Sequence, residues 1–210
     1  MRIRYSILAV AALGLGAVVL AAAAAGTGPR QSAEVTDPAG DTLRKDAEPW
    51  QDIVRGRIDL EGGTFTFSME MAVPLPAEPP AAPGGLGWYF WDWGLEVDPE
   101  LFPVGWPFPG NHAAPHEFLV ILASDGEEYF AFLVDRRPLL VGQDAVVTPV
   151  PCSVDGATIQ AFVDADLLDN PAEFGWRVGS QIYHGALGSE GRHRMENVPN
   201  DPVWVPFPQQ

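Results

Sequence analysis

Short segments of alternating polarity, separated by turn residues, constrain this chain most. Residues 53–60 alternate, Glu61-Gly62-Gly63 follows, and residues 64–73 alternate again. One face of the second segment is apolar throughout: Phe65, Phe67, Met69 and Met71. A period of two is the period of a β-strand, and a short Gly-containing loop joins neighbouring strands. These segments therefore predict a β-hairpin.

The same pattern recurs along the chain, with little sign of helical periodicity. Asp125-Gly126 lies between residues 118–123 and 129–134, and Asp155-Gly156 lies between 146–150 and 158–163, so two further hairpins are expected. Additional strands are predicted at 88–97, 174–183 and 203–205, and one helical turn at 164–168, capped by Asp164. About nine strands with long Pro-rich loops at 74–85 and 99–115 predict an all-β, antiparallel, jelly-roll-like sandwich, formed as one domain by residues 26–210.

The first 25 residues have the features of a secretory signal peptide. Arg2 and Arg4 precede an apolar run at 7–20, and alanines at 21–25 offer small residues for cleavage. The alternative is a retained transmembrane anchor, because the run is about long enough to span a bilayer. Cleavage is favoured, without membrane insertion afterwards, and the mature protein is expected to be secreted or in the cell envelope. Cys152 is the only cysteine, so an internal disulfide is excluded.

The chain is strongly acidic, with a formal net charge of −16. Such a surface repels phosphate backbones, so nucleic acid is not an expected partner. Acidity instead suits solubility and the capture of cations.

Two aspartates occupy one short turn in Asp37-Pro38-Ala39-Gly40-Asp41, and Asp52 opens the next strand-like segment. Carboxylates held this close repel each other unless a cation lies between them. Calcium, which takes about six to eight oxygen ligands, is the usual cation outside the cell. The alternative is an ordinary turn, since Asp, Pro and Gly are all good turn formers.

An aromatic run, Trp88-Tyr89-Phe90-Trp91-Asp92-Trp93, forms most of one predicted strand. Alternation sends Trp88 and Phe90 to one face and Tyr89, Trp91 and Trp93 to the other. An exposed aromatic face would stack on sugar rings, with Trp106 from the following loop as a second wall and nearby acids for the hydroxyls. The alternative is a central strand buried on both faces.

Taken in order, several short motifs resemble the carbohydrate-binding-module-9 and DOMON-like superfamily of secreted bacterial β-sandwich domains. They include the acidic turn with Asp52-Ile53, the Glu-Gly-Gly hairpin, the strand end Glu96-Val97-Asp98, and a closing Asn200-Asp201-Pro202. The resemblance implies a jelly-roll-like sandwich, a structural calcium, and binding of sugars or haem rather than catalysis. By position, Asp37, Asp41 and Asp52 match the acidic turn of that superfamily, and Asp201 joins them as a predicted calcium ligand.

Glu96 and Asp98 match an acidic pair that usually reads Asp-x-Asp in the superfamily, and they are predicted to contact a ligand. Motifs of hydrolases, zinc proteases and phosphate-binding loops are absent from the sequence, so a non-catalytic module is predicted. Its expected partner is a glycan or another cell-surface ligand. Two alternatives stay open: a cell-envelope interaction domain without a small ligand, and a haem-binding domain that would use Met69 or Met71 with His184.

Overall fold

The computed structural model describes residues 30–82, 87–101, 116–184, 192–199 and 203–209. These residues form two antiparallel β-sheets packed face to face, which confirms the predicted sandwich. The described part contains twelve strands: β1 (Gln31–Thr36), β2 (Ile53–Glu61), β3 (Thr64–Met71), β4 (Gly87–Glu96), β5 (Phe118–Ser124), β6 (Tyr129–Asp135), β7 (Val146–Val150), β8 (Cys152–Asp155), β9 (Thr158–Asp164), β10 (Phe174–His184), β11 (Arg192–Val198) and β12 (Val205–Phe207).

The five-stranded sheet has the order β1-β2-β3-β9-β8. The seven-stranded sheet has the order β11-β10-β4-β5-β6-β7, and β12 pairs with the first residues of β10. Short 3-10 helices at Pro49–Gln51, Arg137–Val141 and Ala165–Leu168 connect strands. The last of these is the predicted helical turn, although the side chain of Asp164 makes no capping hydrogen bond.

Two of the predicted hairpins are confirmed and the third is wrong. The β2–β3 and β5–β6 ladders join the expected segments. In contrast, β7 pairs with β6 in one sheet, while β9 pairs with β8 in the other. Pro151 lies between β7 and β8, where it has no N–H to continue a ladder, and the chain changes sheets there. The segment 152–155 is therefore a strand of its own.

A bulge in β2 changes which side chains enter the core. Strict alternation would place Ile53 and Ile58 on opposite faces, but the register shifts between Ile53 and Arg55. Both isoleucines are fully buried as a result. A bulge inserts one extra residue into a strand and reverses the alternation beyond it.

The core lies between the sheets and is rich in aromatic side chains. Its largest fully buried members include Trp91, Trp93 and Trp176 from the seven-stranded sheet and Phe65 and Phe67 from the five-stranded sheet. Met69 and Met71 continue the apolar face of β3 and are also buried, as the alternating pattern predicts.

Gly56 in β2 permits the sheets to approach closely near Trp176. A Cβ atom at this position would lie 3.1 Å from Val178 Cγ1 and 3.2 Å from Trp176 Cζ3. Gly56→Ala is therefore expected to lower the free energy of unfolding by about 1–3 kcal/mol, because overpacking forces neighbours out of place. Urea unfolding measures this loss. Gly142→Ala is the comparison, because Gly142 has a positive φ and no atom near the added Cβ, so any loss there comes from backbone strain and not from crowding. An unchanged midpoint for Gly56→Ala would contradict the close approach.

The structure does not reach several predicted segments. The predicted signal peptide at 1–25, Trp106 and Asp201 lie outside the described residues. Within the described residues, no helix has the length and apolar character needed to cross a bilayer.

Candidate functional site

Four carboxylates come together beside the first strand of the sandwich: Asp37, Asp41, Asp52 and Glu196. One carboxylate oxygen from each of Asp37, Asp41 and Glu196 lies within 4.8 Å of the other two. Asp52 is close enough to raise the pKa of both Asp37 and Glu196 by charge repulsion. We call this group the acidic cluster.

The loop after β1 places the two turn aspartates. Asp37 N–H donates to Val54 O at 3.0 Å, so the turn begins against β2. Gly40 has a φ of +90°, a conformation that glycine adopts without strain. Its N–H donates to Asp52 Oδ2 at 2.7 Å, which holds Asp52 against the turn. The predicted calcium ligands Asp37, Asp41 and Asp52 are thus neighbours in the structure.

Glu196 joins the cluster from the other sheet. It lies on β11, opposite Ser180 of β10, next to a register shift in that ladder. The loop that carries Asp41 is attached to the same strand, because Leu43 N–H donates to Met195 O at 2.9 Å. Glu196 is only 1% exposed. The acidic cluster therefore spans the two sheets.

The electrostatics of the acidic cluster are unfavourable without a cation. Burial, followed by repulsion from Asp37, Asp41 and Asp52, raises the pKa of Glu196 to about 7. Burial and the charges of Asp41 and Asp52 raise the pKa of Asp37 to about 6. In the part of the chain that the structure describes, none of the ion pairs includes one of these four carboxylates.

Two buried oxygens in the cluster have no hydrogen-bond partner among the residues that the structure describes. They are Asp52 Oδ1 and Glu196 Oε2, and both residues are more than nine-tenths buried. Leaving such an atom without a partner costs about 1–3 kcal/mol, and more when it is charged. A set of carboxylate oxygens without sulfur or imidazole suits a hard cation such as Ca²⁺ rather than Zn²⁺. The residues present therefore fit calcium.

Sequence reasoning missed Glu196. Gly and Arg are frequent in residues 183–195, a composition typical of a surface loop, but the structure begins β11 at Arg192. The strand Arg192–Val198 is mostly polar, so the apolar alternation that marks strands elsewhere is weak here. Asp201, the fourth predicted ligand, lies outside the described residues.

The predicted aromatic platform is wrong in its choice of face. Tyr89, Trp91 and Trp93 are 4%, 0% and 0% exposed, because they lie on the face of β4 that packs against the five-stranded sheet. Trp50 covers the end of this row, with its ring 4.5 Å from that of Tyr89 and 5.8 Å from that of Trp91. These three side chains are core residues and cannot stack on a ligand.

The opposite face of β4 carries the half-exposed aromatic set. The ring of Trp88 meets those of Phe90 at 5.8 Å and Phe130 at 5.5 Å, and Phe132 stacks on Phe130 at 6.1 Å. Beside them, the side chains of Asp92 and Gln181 hydrogen-bond to each other and are buried. Alternation was predicted correctly, but the face that reaches solvent is the one with Trp88.

The second acidic pair lies at the far end of β4 and does not join the acidic cluster. Glu96 pairs with Gly175, five residues along β10 from Ser180, which is about 17 Å in a strand. Asp98 is exposed and accepts a hydrogen bond from Glu100 N–H at 3.0 Å. Glu117 is buried beside them and accepts from the N–H groups of Val97 and Asp98. Glu117 therefore fixes the backbone that follows β4. The contact of Glu96 and Asp98 with a ligand stays a prediction.

Cys152 lies half-buried on β8, where burial raises the pKa of its thiol. A raised pKa disfavours the thiolate and therefore nucleophilic attack.

These observations define the chain as an antiparallel β-sandwich with a carboxylate cluster across its two sheets. Comparison with protein-family models finds no match, and neither do comparisons with curated proteins and with solved structures. The resemblance to the carbohydrate-binding-module-9 and DOMON-like superfamily therefore stays a prediction.

Proposed function

We propose that this chain is a non-catalytic, extracytoplasmic binding module whose sandwich is held together at the acidic cluster by a calcium ion. The observation that carries the metal is the pair of buried, unpartnered oxygens, Asp52 Oδ1 and Glu196 Oε2, beside Asp37 and Asp41. The bound ion supplies the positive charge that the four carboxylates lack. Asp37, Asp41 and Asp52 would then be joined to β11 through Glu196.

Calcium is expected to stabilise the protein strongly. At about 100 times its dissociation constant, a ligand that binds only the folded state adds about 2.7 kcal/mol, which raises the melting temperature of a domain of this size by about 5–10 °C. Thermal unfolding of purified protein in EDTA and in calcium measures the shift, and isothermal titration calorimetry gives the stoichiometry, expected to be one ion per chain.

Two variants and a matched control localise the ion. Asp41→Asn and Glu196→Gln each remove one ligand charge and should weaken calcium binding at least tenfold. Asp155→Asn, at the exposed acid that ends β8, should leave binding unchanged. Equal melting temperatures in EDTA and calcium, or equal losses in all three variants, would contradict the proposal.

The binding role is the less specific part of the proposal. A second candidate, an interaction domain of the cell envelope without a small ligand, is favoured by the burial of Tyr89, Trp91 and Trp93 in the core. The glycan that the sequence predicts would have to bind the opposite face of β4, beside Trp88. A glycan array with wild type and Trp88→Ala distinguishes these cases, because only a glycan-binding module gives signals that the variant loses.

A further inference from the structure

The two outer faces of the sandwich differ sharply in chemistry. The outer face of the five-stranded sheet is mostly polar, with Arg57 paired to Asp59 at 2.6 Å and to Glu34 at 3.4 Å. It also carries Ser68 and Gln160, which hydrogen-bond to each other at 3.2 Å. An antiparallel sheet with one face in water normally looks like this.

The outer face of β4–β7 in the seven-stranded sheet is apolar across all four strands. The register places ten apolar side chains on it, and we call them the apolar face: Trp88, Phe90, Leu119, Ile121, Ala123, Phe130, Phe132, Val134, Val147 and Pro149. Phe90 and Ala123 are buried, six others are partly exposed, and Val147 and Pro149 are exposed, Val147 to 58%. Apolar patches of a few hundred Å² are often functional.

The chemistry of the apolar face limits what can occupy it. Apart from the indole N–H of Trp88, its ten side chains offer no hydrogen-bonding atom, so the hydroxyl groups of a sugar would find few partners there. The nearest polar pair, Asp92 and Gln181, is already hydrogen-bonded. A ligand without polar groups gives up no hydrogen bonds to water when it binds this surface.

Size and charge argue against a second copy of the chain. Four strands about 4.8 Å apart and about five residues long cover roughly 300 Å², well below the about 800 Å² that each partner buries in a standard interface. Two copies would also each carry a formal charge of −16. The same charge opposes contact with an anionic bilayer.

Building on the proposed binding role, we infer that the apolar face binds the hydrocarbon chain of a single, free lipid-like molecule. This hydrocarbon chain lies across β4–β7. The aromatic rings of Trp88, Phe130 and Phe132 contact it on one side and the aliphatic side chain of Val147 on the other. Each methylene that it buries contributes about 0.8 kcal/mol.

The neutral fluorescent probe N-phenyl-1-naphthylamine tests this inference on the full chain in calcium. Saturable fluorescence enhancement is expected, with displacement by 1-dodecanol. Phe132→Asp and Val147→Asp should each weaken probe binding at least tenfold. Phe162→Asp, at a half-buried phenylalanine on the outer face of the five-stranded sheet, is the matched control and should bind as wild type does.

Val147→Asp keeps the test valid if Phe132→Asp fails to fold, because Val147 is mostly exposed. Absence of probe binding, or equal binding by Val147→Asp and wild type, would overturn the inference. So would displacement of the probe by an oligosaccharide, binding only to phosphatidylcholine vesicles, or a dimer in size-exclusion chromatography that Val147→Asp dissociates. An intact calcium response alongside any of these results would leave the metal site standing.

Discussion

Trp93→Ala is expected to lower the free energy of unfolding by about 3–5 kcal/mol, the usual cost of deleting a buried large aromatic side chain. Trp93 is fully buried, its ring lies 6.0 Å from that of Phe67, and its indole N–H donates to Ser68 O at 3.4 Å across the sandwich. The substitution therefore leaves a cavity between the sheets. Urea unfolding followed by circular dichroism measures the loss.

Trp88→Ala, five residues earlier on the same strand, is the matched control. Trp88 lies on the outer face and is only partly buried, so its removal should cost about 1–2 kcal/mol. The variant with the larger loss in free energy of unfolding identifies the face of β4 that packs in the core. Equal losses would contradict the placement of Trp93 between the sheets.

Without calcium, the protein is expected to be more stable at pH 5 than at pH 8.5, by about 2–3 kcal/mol. The pKa of Glu196 is about 7 in the folded protein and 4.5 at its ordinary value, so at pH values between these two pKa values the folded state holds a proton that the unfolded state releases. Stability then falls as pH rises through this range, since one pKa unit corresponds to about 1.4 kcal/mol. The raised pKa of Asp37, about 6, acts in the same direction.

Saturating calcium should reverse this trend, because ionised carboxylates bind the metal and protonation competes with it. Denaturant unfolding at a series of pH values, in EDTA and in calcium, measures both slopes. Glu196→Gln should flatten the slope in EDTA, whereas Glu70→Gln, a half-exposed acid on β3 outside the cluster, should not. A slope of the same sign in EDTA and in calcium would contradict the role of the cluster as a cation site.

Local pattern was enough to predict the class of fold. The β2–β3 hairpin follows from alternation around Gly62 and Gly63, and both of these glycines have positive φ. The sandwich then follows from many short strands without helical periodicity. Partner choice between distant strands has no such local signal, which is why β7 and β9 were paired incorrectly.

The site was predictable only where its residues are close in sequence. Asp37, Asp41 and Asp52 lie in one turn and the strand-like segment after it, so repulsion between them could be inferred directly. Glu196 reaches them only through the packing of β11 against β10. For β4, aromatic residues alternate onto both faces, so alternation predicts two sets of aromatic side chains without deciding which of them faces the core.

The position of Glu196, far along the chain from Asp37 and Asp41, has a consequence for folding. Asp37, Asp41 and Asp52 are synthesised early, but Glu196, the fourth member of the acidic cluster, is synthesised only with β11. Contacts between residues so far apart in sequence form late and slowly. The acidic cluster is therefore complete only once β11 has formed, and the rate at which the proposed calcium affinity appears during refolding would time the closure of the two sheets.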